Sequence, residues 1–245
     1  MTGWLPSLRI AGVEVRVHLL LFAVPALLAL TAPAFDGAVG WRLGVFAILV
    51  GCVLVHELGH AVAARARGLA AEVRVHGIGA WARIGRREAP EEVPADEWAV
   101  ALAGPAASFA LAGVVALAGL ALRGPWSVSD LFQSPPDPWT MALAITTGMG
   151  VVNLLPMFPL DGGRVVRAVL SPALGRSRAT RLVVVATGIG AAALLAAAVL
   201  VHDPWGILLL GAGALLLVRA AFREARPVAP VSGPKPQTEP GAAAP

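Results

Sequence analysis

Long apolar runs alternate with short polar stretches along the chain. About six runs approach the ~20 mostly apolar residues that a helix needs to cross a hydrocarbon core: residues 18–34, 43–66, 98–122, 141–157, 182–201 and 205–218. The fourth is the least regular, because Pro156 and Pro159 would break its helix, and broken backbone at membrane depth is tolerated where it lines a water-filled cavity. Between the runs the period falls to two. In "LRIAGVEVRVH", Val13, Val15 and Val17 alternate with Glu14, Arg16 and His18 around a turn at Ala11-Gly12, which predicts a short hairpin. After the second run Val73 and Val75 alternate with Glu72, Arg74 and His76 before the Gly77 to Gly79 turn, and a second hairpin follows. The expected architecture is an all-α polytopic membrane protein of about six transmembrane helices with short cytosolic β-hairpins. Residues 1–17 form the N-terminal hairpin, 18–222 the membrane core with a cytosolic hairpin and loop at 68–97, and 223–245 a tail too polar to fold.

Composition agrees. Of 245 residues 57% are hydrophobic and 14% charged, with a mean hydropathy of +0.75, well outside the range of soluble domains. A sequence pI near 10.8 would suit a nucleic-acid binder, but the placement of charge argues against one. If the spans alternate, all 19 lysines and arginines except Arg42 and Arg123 fall on one side, which the positive-inside rule assigns, with both termini, to the cytosol. The expected location is the plasma membrane, and the expected partners are the lipid bilayer and no nucleic acid. The first residues carry arginines without a compact apolar core and cleavage site, so no cleavable signal is expected. Cys52 is the single cysteine, which excludes an intramolecular disulfide. Lys235 is the one lysine, a bias that suits a GC-rich, bacterial genome.

The second run contains "VLVHELGHAV". On a helix, His56 and His60 stand one turn apart on one face, where both imidazoles can bind one Zn²⁺, with Glu57 beside them as general base. The bland alternative is a pair of buried structural histidines. Membrane context weighs against it, since ionisable groups in a spanning helix are costly and usually line a functional cavity. A hydrolytic zinc site takes three protein ligands and leaves a position for water. A histidine six residues beyond His60 would complete one soluble class, but Ala66 stands there. Asp161, in "NLLPMFPLDGGR", is nominated as third ligand, the alternative being that Asp161-Gly162-Gly163 is only a turn. His56 precedes Arg65 by nine residues, on the order of 14 Å at ~1.5 Å per residue, and Asp161 lies three residues before Arg164, so both could meet in the cytosolic half. Cys52, His18, His76 and His202 suit packing or interfacial roles, and Gly104, Ala106, Ala107 and Ser108 suit close helix packing.

"HELGH" in an apolar run, "NLLPMFPLDGGR", the Gly-Pro segment "LAGPAASF" and the N-terminal strand running into "VH" together resemble the site-2 protease family of intramembrane zinc metalloproteases. The resemblance is to a compact bacterial type without the PDZ or CBS domains of other branches. It implies one Zn²⁺ per chain held by His56, His60 and Asp161, with Glu57 as catalytic acid/base and Asn153 holding substrate or the oxyanion. The implied substrate is a membrane-anchored protein, cut within or near its transmembrane helix to release a transcriptional regulator or anti-sigma fragment. An edge strand between Glu72 and Ile84 could hold the unwound substrate by β-augmentation. Two other classes stay open. A metal-ion transporter would spread coordinating groups over several depths and leave Glu57 without a task, and a non-cleaving scaffold would not need the complete set of His56, Glu57, His60 and Asp161.

Overall fold

The computed structural model describes residues 3–23, 26, 38–76, 79–85, 97–127, 129–130, 137–201 and 204–225. β1 (Leu8–Ile10) and β2 (Val13–Val17) form the first hairpin, with Ile10 opposite Val13. Ala11 and Gly12 turn at φ 49° and 77°, the left-handed pair whose twist matches that of the strands. β3 (Ala70–His76) and β4 (Gly79–Gly85) form the second hairpin. The two hairpins are not separate. β2 pairs with β3 in parallel, Val15 opposite Val73, giving one four-stranded sheet in the order β1-β2-β3-β4. Among the described residues only β4 of the second hairpin therefore keeps an open edge, and β3 is covered on both sides.

Alternation decides which face of the sheet is buried. Val13, Val15, Val73 and Val75 pack on Ala61, with Leu54 and Leu58 against the same cluster. The opposite face carries Glu14, Arg16, Glu72 and Arg74. The register sets like charges opposite one another, and the arginines answer by reaching to acids diagonally or along their own strand: Arg16 to Glu72 at 3.0 Å, Arg16 to Glu14 at 2.9 Å and Arg74 to Glu72 at 3.0 Å.

Ala61, Leu54 and Leu58 belong to α1 (Ala38–Ala66), which enters the sheet through a short turn. Gly68 takes φ 76°, its N–H reaches the Arg65 carbonyl at 2.9 Å, and the Leu69 N–H reaches Ala64 at 3.1 Å. This is the helix-ending pattern that requires a left-handed residue, with Leu69 and Ala64 packed together beside Val100. α2 (Glu97–Leu122) follows, then α3 (Pro138–Asn153), which starts where the Asp137 carboxylate accepts from the Trp139 and Thr140 N–H groups and Pro138 supplies the first helical φ. α4 (Asp161–Leu174), α5 (Arg176–Val201) and α6 (Pro204–Ala225) complete the chain.

Among the described residues three helices are long and apolar enough to cross a membrane: Val39–Ala66, Glu97–Leu122 and Arg176–Ala197. Large apolar side chains such as Leu117, Leu120, Val185 and Ile189 point outward from them, as a lipid-facing surface requires. The first expected span, 18–34, lies mostly outside the described residues, as does most of the expected tail. The fourth departs from expectation: its helix stops at Asn153, before the prolines, and Asp161 opens a separate amphipathic helix. The loop between them is pinned by Phe158, which is fully buried against Val183 and Ala221 and whose N–H donates to the Thr187 hydroxyl at 2.9 Å.

Candidate metal centre

α1, α2 and α4 each bring one part of the site. His56 and His60 lie on one face of α1 with ring centroids 4.8 Å apart, and Asp161 is the first residue of α4; all three are about 95% buried. Asp161 Oδ2 stands 3.0 Å from His56 Nε2 and 3.1 Å from His60 Nε2, and the two nitrogens are 3.2 Å apart. The nominated ligands, over a hundred residues apart in the chain, thus converge on one point.

The outer nitrogens tell what that point needs. His60 Nδ1 lies 2.8 Å from the Val100 carbonyl, which can only accept, so the neutral ring carries its proton there and turns the Nε2 lone pair inward. His56 Nδ1 lies 2.9 Å from Ser108 Oγ, whose hydroxyl can accept the matching proton. A carboxylate oxygen and two inward lone pairs crowded this closely repel unless a cation sits among them. Ligands ~2.0 Å from a tetrahedral zinc stand about 3.3 Å apart, close to the spacing found, and a two-imidazole, one-carboxylate set leaves the fourth position for water. The residues present fit zinc.

α2 supplies the supports, and sequence reasoning missed their role. Val100, Gly104 and Ser108 recur every four residues and so share one buried face. A Cβ on Gly104 would overlap both imidazoles, coming within 2.8 Å of His56 Nε2, and one on Gly59 would meet the Ala107 Cβ at 2.7 Å. These two glycines let α1 and α2 approach closely enough for the Val100 carbonyl to reach a ring. The period of four along α2 was the available signal. Gly162 and Gly163 act similarly at α4, whose first turn rests on the backbone of Leu154, Leu155 and Met157. Asp161-Gly162-Gly163 is thus the start of a helix rather than a turn.

Glu57 follows His56 on α1 and is partly exposed while the three converging residues are buried. Asn153 closes α3, where its side-chain amide donates to the Met149 carbonyl at 2.9 Å, one turn back on its own helix.

Comparison with known proteins points the same way. The profile of peptidase family M50 matches residues 44–137 and 122–197. A Mycobacterium tuberculosis protein named as a zinc metalloprotease, Rip3, is 33% identical over 203 residues, covering 78% of this chain and 48% of the relative. A zinc metalloprotease of Methanocaldococcus jannaschii is 28% identical over 180 residues, 71% of this chain and 48% of that protein. The chain thus spans about half the length of these sequence relatives. The solved structure of a site-2 protease from Methanocaldococcus jannaschii superposes with a TM-score of 0.60 at 25% identity, covering 91% of this chain and 97% of that one.

Proposed function

The chain belongs to peptidase family M50, and we propose that it is an intramembrane zinc endopeptidase that cuts membrane-anchored proteins within or near their transmembrane helix. The observation that carries this reading is the convergence of His56 Nε2, His60 Nε2 and Asp161 Oδ2, each with a lone pair directed at one buried point. These side chains would hold one zinc ion, with Ser108 and the Val100 carbonyl keeping both rings in the metal-binding tautomer. Zinc bound there supplies Lewis acidity, polarising the scissile carbonyl and lowering the pKa of a water toward ~7.

The chain's own residues do the rest. Glu57, next to His56 on α1 and partly exposed, takes a proton from the attacking water on its carboxylate and passes it to the departing amide nitrogen. Asn153, released from Met149, would offer its amide N–H to the substrate backbone. A substrate helix must unwind first, because its carbonyls are already hydrogen-bonded, and the outer edge of β4, unpaired among the described residues, could receive the extended segment. The product would be a cytosolic fragment, such as a transcriptional regulator or an anti-sigma factor segment. A transporter would instead need coordinating groups at successive depths, whereas the group found among the described residues is a single cluster.

The test compares membrane-protein fragments by mass spectrometry in cells carrying the wild-type chain or Glu57→Gln, which should retain zinc. One full-length membrane protein should accumulate in the variant while its cytosolic fragment disappears. Identical fragment profiles, with both chains present and metal-loaded under conditions that induce cleavage, would reject the endopeptidase reading.

A further inference from the structure

α4 brings the carboxylate to the site on a first turn that meets the preceding loop through close backbone contact. Gly162 and Gly163 present no side chains, and Leu160 makes no side-chain cap. A side-chain grip comes only from farther along. Arg167, six residues on and about 9 Å up the helix axis, is only 5% exposed. Its Nη1 donates to Glu224 of α6 at 2.7 Å and its Nη2 to Glu97, the first residue of α2. Its guanidinium carbon lies 4.9 Å from the centre of the Phe158 ring, in the loop just before Asp161. Arg176, at the start of α5, takes the second oxygen of Glu97 at 3.1 Å.

We propose that Arg167 is a positioning residue for Asp161: a buried clasp that fixes the rotation and height of α4 against α2 and α6, and so sets where the third ligand stands. Stability alone does not select such a group. Buried ion pairs can often be replaced by apolar residues without loss, and among the described residues Arg167 Nε finds no hydrogen-bond partner, a cost to the fold. What a planar fork adds is geometry, since it meets carboxylates on two different helices at a fixed angle. One of those helices, α2, is the same element that orients both imidazoles through Val100 and Ser108. The clasp thereby refers all three ligands to one frame. This inference rests on the zinc reading above.

A thermodynamic cycle on the purified full chain tests it. Zinc affinity is measured by competition with chelators of graded strength for wild type, Arg167→Met, Asp161→Asn and the double variant. Arg167→Met should weaken zinc about ten-fold or more, the size of loss that follows removal of a ligand's support. In the Asp161→Asn background the same change should have no further effect. Equal losses in both backgrounds would mean general loosening of the bundle and overturn the proposal, as would no loss in either. Asp161→Asn leaving zinc binding unchanged would instead remove Asp161 from the ligand set, and the zinc reading with it, whatever Arg167 does. Should Arg167→Met not fold, Glu224→Gln enters the same cycle, because it keeps the shape of the clasp while weakening one arm, and the same pattern is expected.

Discussion

A carbonyl accepts and never donates, and at the scale of single residues that asymmetry organises the centre. The Val100 carbonyl commits His60 to one tautomer without needing a side chain at all, whereas His56 depends on the Ser108 hydroxyl. Ser108→Ala deletes only that oxygen and leaves a buried ring N–H without an acceptor, so zinc affinity should fall about ten-fold. The fold should lose about 1–3 kcal/mol, the cost of leaving a buried donor unsatisfied. Chelator competition beside thermal unfolding separates the two effects, and unchanged zinc affinity would deny Ser108 its orienting role. Such roles were only half legible in the sequence. His56, Glu57 and His60 stand out because helical periodicity alone puts them on one turn, and Asp161 because an acid is costly in an apolar stretch. Ser108, by contrast, sits in "GPAAS" among residues that pack equally well without chemistry. Its hydroxyl acquires a task only from the α1 to α2 approach that Gly59 and Gly104 permit.

Elements were legible where their signal is local. The period of two marked both hairpins, and the apolar runs marked α1, α2 and α5. The parallel pairing of β2 with β3 was not, since it joins strands separated by the whole of residues 18–69 and depends on where α1 returns the chain. α4 was hidden too: its amphipathic pattern follows two prolines that read as the end of a span rather than as the lead-in to a new helix. The return itself hinges on Gly68, whose φ of 76° lets α1 end three residues before β3 begins. Gly68→Ala should cost about 1 kcal/mol, the penalty of a left-handed alanine, and lower the midpoint of thermal unfolding by about 2–4 °C for a chain of this size. Gly51→Ala is the control, because it lies within α1 with open space where its Cβ would go, and a mid-helix alanine is worth roughly 0.5–1 kcal/mol over glycine. If both variants lose the same stability, the strain at Gly68 is not what the turn depends on.

Over the whole molecule, charge and geometry agree on which end is which. The clasp of Arg167, Glu97, Glu224 and Arg176 brings the start of α2, the middle of α4, the start of α5 and the end of α6 to one end of the bundle. Arg123, paired with Asp130 at 2.7 Å and Asp137 at 3.3 Å, ties the end of α2 to the start of α3 at the other. The clasp end also carries Arg164, Arg178, Arg181, Arg219 and Arg223, while the far end has Arg42 and Arg123. Positive residues are retained on the cytosolic side during insertion, so the clasp end, and with it the metal centre near the C-terminal end of α1, should face the cytosol. Membrane-impermeant thiol labelling decides this once the buried Cys52 is replaced by alanine. Ser129→Cys and Arg178→Cys occupy exposed positions at opposite ends. In intact cells Ser129→Cys should react at once and Arg178→Cys only after the membrane is permeabilised. The reverse pattern would turn the molecule over, place the site in the outer half of the bilayer, and make release of a cytosolic fragment the wrong description of its product.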